Sequence, residues 1–118
     1  MKYLLLIQQG DTPVPGSEAW ERLSEDEQKA IYSDYQAVNQ TPGVSPGIWM
    51  EPPEAATTVR VQDGKVLTTD GPFVAVKEAL GGYLLYEADD LDAAIELASR
   101  IPAARMGGAV EVRQIKEQ

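Results

Sequence analysis

An α+β sandwich, with helices on one face of a mainly antiparallel sheet, is predicted by three observations. Along a chain of 118 residues, the expected elements run β, α, several β, α, β. Two segments pair a helix-capping residue with an apolar stripe of helical spacing. Between them, an Asp-Gly pair separates two short stretches with strand composition. That element order is the one expected of a ferredoxin-like fold.

The elements follow in turn. Residues 2–9 read as a strand in which Tyr3, Leu5 and Ile7 point one way and Leu4 and Leu6 the other. Residues 10–16, with Pro13 and Pro15, form a loop, and Ser17 caps a short helical turn through Trp20 and Leu23. Ser24-Glu25-Asp26-Glu27 has the form of a capping box, in which a hydroxyl and a carboxylate satisfy each other's free backbone N–H groups. The main first helix is therefore expected over 25–38, burying Ala30, Ile31, Tyr35 and Val38. Residues 41–53 are broken by Pro42, Pro46, Pro52 and Pro53, which confine any strand over 47–50 to a sheet edge. Thr57–Gln62 and residues 65–69 flank Asp63-Gly64, a pair suited to the two positive φ angles of a type I′ turn. Asp70-Gly71-Pro72-Phe73 ends that ladder, and residues 74–80 suit either helix or strand. Residues 82–88 are a strand, with Tyr83 and Leu85 opposed to Leu84 and Tyr86. Asp89 or Asp90 caps a second helix through Ile101, with Leu91, Ala94, Ile95, Ala98 and Ile101 as its stripe and Pro102 as its stop. The last strand, 109–115, puts Val110 and Val112 on one face and Glu111 and Arg113 on the other.

Composition narrows the function. Hydrophobic residues make up 43% and charged residues 25%, proportions of one globular domain over 1–118. The net charge of −9 makes nucleic acid and anionic membrane poor partners. With no Cys and no His, disulfides, thiol nucleophiles and imidazole bases are excluded, and neither a metal nor another cofactor is expected. The longest apolar run near the N-terminus, Leu4 to Ile7, is too short for a signal-peptide core. A cytoplasmic location is expected.

Two helices cover one side of a sheet, yet the first strand is apolar on both sides. The second face needs its own cover. In so short a chain that cover is expected to be another copy, with the sheets packed face to face in an obligate homodimer and a cleft near their interface.

Asp70, between a strand end and a Gly-Pro turn, is the first candidate for chemistry. Its carboxylate suits either a general base in a cleft or the side chain of an Asx turn. Lys77 and Glu78 point in different directions. Lys77 has the chemistry to hold an anion or act as a nucleophile, and Glu78 to line the same site, or both can be solvated. Arg60, Glu111 and Arg113 lie on strands, where an Arg either clamps a ligand carboxylate or pairs with Glu111. Gly81-Gly82 lacks the spacing of a phosphate loop and reads as a turn or bulge. Trp20 and Trp49 read as packing groups. The runs Glu25-Asp26-Glu27 and Asp89 to Asp92 read as helix caps, not as calcium ligands.

These residues also carry a resemblance. Ala56-Thr57-Thr58-Val59-Arg60, Asp70-Gly71-Pro72-Phe73, Lys77-Glu78, Leu80-Gly81-Gly82-Tyr83 and Val110-Glu111-Val112-Arg113 occur in order, after an opening Met1-Lys2-Tyr3-Leu4-Leu5-Leu6-Ile7. Together they resemble the DGPF-motif branch of the YCII-related family. The resemblance implies a dimeric ferredoxin-like fold, the dimeric α+β barrel. It names no activity, because that branch has none established. Its members are often encoded beside extracytoplasmic-function sigma factors, which implies a sigma factor as a possible regulatory partner. Ala75 and Val76 stand where the branch usually has an acidic residue and Thr, and Gln114 where it usually has Pro. The His–Asp pair linked to the wider family is impossible here. Two functions are therefore expected as alternatives. One is a cleft for a small carboxylate or carbonyl compound, enzymatic or not; the other is a regulatory partner without catalysis. A structural dimer lacking any site is the third reading.

Overall fold

The computed structural model describes residues 1–73 and 80–117. Strand β1 (Lys2–Gln8) is followed by a one-turn helix α1 (Glu18–Glu21), helix α2 (Glu25–Asn39) and a two-residue strand β2 (Ile48–Trp49). Strands β3 (Thr57–Gln62) and β4 (Lys65–Asp70) come next, then β5 (Leu80–Glu87), helix α3 (Leu91–Ser99) and β6 (Ala109–Gln114). The main sheet has the order β2-β5-β1-β6 with every pairing antiparallel. That is the strand order of a ferredoxin-like sandwich, with β3 and β4 inserted before its third strand.

Local chemistry accounts for these boundaries. Ser24 Oγ accepts a hydrogen bond from the Glu27 N–H at 3.1 Å, and Glu27 Oε1 accepts one from the Ser24 N–H at 3.0 Å. The capping box therefore starts α2 where expected. Asp90 starts α3 by accepting from the Ala93 N–H at 2.9 Å. Arg105, after α3, pairs with Asp34 on α2. At the hairpin, Asp63 and Gly64 take φ of 51° and 77°, the two positive angles a type I′ turn requires.

The core lies between the helices and one face of the sheet. Tyr3, Leu5 and Ile7 from β1 and Leu84 from β5 meet Val38 of α2 and Ala94, Leu97 and Ala98 of α3. Two details differ from the expected stripes. Ala30 is exposed, because it lies one residue, about 100°, off the line through Ile31, Tyr35 and Val38. On α3 the buried face is turned toward Leu97, so Leu91 and Ile95 sit on its shoulder, each 50% exposed. The helix also ends at Ser99, and Pro102 opens a separate 3₁₀ turn in which it is itself buried.

The opposite face of the sheet carries Leu4 and Leu6 of β1, Tyr83 and Leu85 of β5 and Ile48 of β2. No described helix lies on it. The register slips between Ile7↔Gly82 and Gln8↔Leu80, so Gly81 is the extra residue of a bulge. The expected hairpin forms, and it stands apart from the main sheet, since β3 and β4 pair only with each other. None of their residues is buried. No helix among the described residues is long and apolar enough to cross a membrane.

Removing the cap tests the start of α2. Ser24→Ala leaves an N–H of the first turn without its partner and is expected to cost about 1 kcal/mol in thermal or urea unfolding. The hydrogen bonds from Ser24 hold the Glu27 carboxyl below its usual range. A lowered folded-state value stabilises above the unfolded value and is lost as pH falls through the folded one. Acid titration of Ser24→Ala should therefore show a smaller loss of stability below the carboxylate range than the parent protein shows.

Candidate functional site

A cavity of about 1170 Å³ among the described residues lies at one end of the sandwich on its helix side. It is not on the free sheet face, where two packed sheets would enclose a cleft. The loop after β1, Trp20 of α1, the inward face of α2, the end of β2 with its connection to β3, the turn after β4 and the start of β5 converge on it.

Aromatic rings form much of the wall. Trp20 meets Tyr32 edge to face with centroids 5.3 Å apart, and Tyr35 meets Trp49 at 4.8 Å. Tyr32 and Tyr35 share a side of α2 because they are three residues apart. Trp49 reaches them because its register partner, Gly82, lies on the core-facing side of β5. A Cβ on Gly82 would stand 2.7 Å from the Ile48 carbonyl oxygen, so only glycine lets β2 come so close. Pro13, Pro15, Pro52, Pro53 and Pro72 complete much of the lining, and their fixed φ angles hold those walls in shape.

Few polar groups enter. Gln9 and Thr12 line the cavity, and the Gln9 Oε1 and Thr12 Oγ1 atoms are buried without a hydrogen-bond partner. Thr12 is 8% exposed. Glu51 and Glu54 stand at the rim, and no Lys or Arg occurs among the described lining residues. Burial pushes the Tyr35 phenol up to about 12, against the opposing influence of the Arg105 charge and a backbone hydrogen bond at Ala103. This ring is a neutral wall at physiological pH.

The residues singled out from sequence do not converge here. Asp70, the last residue of β4, is exposed, and its carboxylate makes no hydrogen bond among the described residues. The turn beside it is closed otherwise: the Gly71 N–H donates to the Ala56 carbonyl at 2.7 Å, and Thr58 Oγ1 donates to the Gly71 carbonyl at 2.8 Å. Gly71 and Pro72, not Asp70, belong to the cavity wall. Arg60 lies on the hairpin with its guanidinium 5.6 Å from the Phe73 ring centroid. Glu111 and Arg113 pair with each other on the free face of the sheet, away from the cavity. Lys77 and Glu78 lie outside the described residues. No group of three or more acidic residues able to hold a metal ion occurs among the described residues.

Sequence reasoning missed the aromatic wall. Trp20 and Trp49 were expected only to pack, and they do pack, but around a space. The spacing of Tyr32 and Tyr35 on a helix was a usable signal; their meeting with Trp49 depends on tertiary pairing. The phenol supplies a test. A raised folded-state value for Tyr35 contributes stability that is complete below about pH 10 and lost as pH rises toward 12. Tyr35→Phe should flatten the alkaline limb of the stability profile, as followed by thermal melts between pH 9 and 12.

Comparison with known proteins identifies the family. An uncharacterised protein of Rhizobium meliloti (strain 1021) is 31% identical over 102 residues, covering 82% of this chain and 80% of its own length. A solved structure, 5-chloro-2-hydroxyhydroquinone dehydrochlorinase from Burkholderia phenoliruptrix AC1100 in complex with 2,5-dihydroxybenzoquinone, aligns with a TM-score of 0.48 at 18% identity, covering 100% of this chain and 96% of that one. The sequence model of the YCII-related domain matches residues 1–118, without distinguishing the DGPF branch. With a relative above 30% identity and a family match along its whole length, the chain belongs to the YCII-related family.

Proposed function

We propose that the protein binds a small, flat, uncharged ring compound bearing hydroxyl or carbonyl groups in the cavity between α2 and the root of the β3–β4 hairpin. The observation that carries this reading is the pairing of an aromatic and proline wall with two buried side-chain oxygens lacking partners. Tryptophan and tyrosine faces supply apolar area to a ring. Gln9 Oε1 can accept a hydrogen bond from a ligand hydroxyl, and Thr12 Oγ1 can donate one to a ligand oxygen. A buried polar atom left unpaired costs about 1–3 kcal/mol, so a ligand that satisfies it recovers that penalty on binding.

Charge selects between the two ligand classes expected from sequence. A carboxylate would enter beside Glu51 and Glu54 with no cation among the described lining residues. A neutral carbonyl or phenol compound meets no such repulsion. The cavity slightly exceeds the roughly 300–1,000 Å³ usual for small-molecule sites, so a substituted ring fits with space to spare. Binding in this form does not use Asp70, which is exposed and outside the lining. The sigma-factor partnership implied by the resemblance gains no support from the fold or the relatives.

Trp20 and Trp49, the two tryptophans of the chain, both line the cavity, so intrinsic fluorescence reports on it directly. Catechol or benzamide is expected to quench or shift the emission saturably, and benzoate to bind at least tenfold more weakly. Gln9→Ala should weaken catechol by about 2–10-fold, the value of one hydrogen bond. Thr12→Val should weaken it similarly while leaving the free protein as stable or slightly more stable, since it removes an unpaired hydroxyl. Asp70→Asn should bind as the parent does. Tighter binding of benzoate than of benzamide, or no response to any ring compound, refutes the reading.

A further inference from the structure

The adjacent glycines at the start of β5 make room for different neighbours. At Gly82 the neighbour is backbone, the Ile48 carbonyl. At Gly81 it is a side chain. A Cβ there would stand 2.3 Å from Gln9 Cγ, 2.7 Å from Nε2 and 2.9 Å from Cδ, and these are its three nearest atoms. The amide of Gln9 thus lies against the bare Cα of the bulge residue. Gly81 takes no positive φ, so its backbone suits alanine, and what the position lacks is room.

Neither backbone is free to retreat. The Gly81 carbonyl accepts a hydrogen bond from the Met50 N–H at 3.0 Å, which ties the bulge to the end of β2. The Gln9 carbonyl accepts one from the Thr12 N–H at 2.8 Å, which closes the turn after β1. A side chain at position 81 and the Gln9 amide therefore compete for one space, and the flexible amide is the part that yields. Both residues line the cavity, and Gln9 Oε1 is a buried acceptor without a partner.

We infer that Gly81 is a positioning residue of the ring-binding cavity: by leaving this slot empty it holds the Gln9 amide so that Oε1 stays available to a ligand hydroxyl. The inference rests on the binding reading above and adds the residue that sets its selectivity. Glutamine has much rotamer freedom to lose on being ordered, and a slot that orders it before the ligand arrives removes that cost from binding. Bulges commonly re-aim side chains beside functional sites. With the acceptor fixed, a ring carrying a hydroxyl satisfies Oε1, whereas its methyl ether leaves the same atom buried and unpaired. The site therefore selects phenols over their ethers.

Tryptophan fluorescence titrations with catechol and 1,2-dimethoxybenzene test this. Gly81→Ala is expected to weaken catechol by about 2–10-fold and to leave 1,2-dimethoxybenzene within about twofold, the signature of one lost hydrogen bond. In the Gln9→Ala background the same substitution should cost catechol nothing further, because the amide it displaces is already gone. Equal weakening of both compounds, or the same loss of catechol with and without Gln9, overturns the inference, since Gly81 would then act on the cavity as a whole. Thermal melts without ligand give an independent reading. Gly81→Ala should lower the melting temperature less, or not at all, when Gln9 is already alanine, and an equal drop in both backgrounds also overturns the inference. If Gly81→Ala alone does not fold, Gly81→Ala/Gln9→Ala should, and failure of both overturns it. A parent protein that answers to no ring compound refutes the binding reading and this role with it. A parent that binds catechol while Gly81→Ala binds it equally well overturns the role of Gly81 alone.

Discussion

Everything in this molecule is arranged around β1, a central strand that is apolar on both of its sides. Its inward residues, Tyr3, Leu5 and Ile7, form the floor of the core, and its other side holds Leu4 and Leu6. With β5 and β6 bonded along its two edges, the strand cannot satisfy one face by turning away from the other, because alternation is built into an extended backbone. The helices must therefore lie on one side. The remaining side carries balanced charge, Lys2 and Arg113 against Glu87 and Glu111, and most of the acid that gives the chain its net −9 lies on helix starts and loops. The capping acids of α2 and α3 sit where backbone N–H groups welcome negative charge.

Features governed by neighbours in the chain were legible before any coordinates. The reciprocal Ser24–Glu27 bonds, the Asp90 cap, the Asp63-Gly64 turn and the bulge at Gly81 all depend on a few consecutive residues. Their chemistry permits few alternatives. The α3 stripe was nearly legible. Its error came from anchoring the helical period on Leu91, when the sheet beneath selects the face centred between Ala94 and Leu97. Spacing identifies a set of compatible faces, and packing chooses among them.

The departure of β3 and β4 from the main sheet had no local signature. A two-residue turn specifies a hairpin but says nothing about what the hairpin lies against. The candidate site was hidden for the same reason. Asp70, Arg60, Glu111 and Arg113 attracted notice as charged groups on ordered elements, yet the cavity is walled by rings and prolines, with uncharged Gln9 and Thr12 at its polar spots. Those residues are separated by long stretches of chain, and their meeting follows from the strand order. A chain lacking imidazole and thiol invites attention to its remaining ionisable groups, whereas the unpartnered buried polar atoms among the residues lining this cavity are an amide oxygen and a hydroxyl.

None of the residues in the central apolar cluster comes from positions 57–70. The apolar cluster of the four-stranded body is therefore built without the ribbon, which is an appendage to it. Insertions, deletions or substitutions within it leave the contacts of that cluster in place. The length and the outward chemistry of the ribbon are thus independent variables, while the packed body sets only where it is rooted.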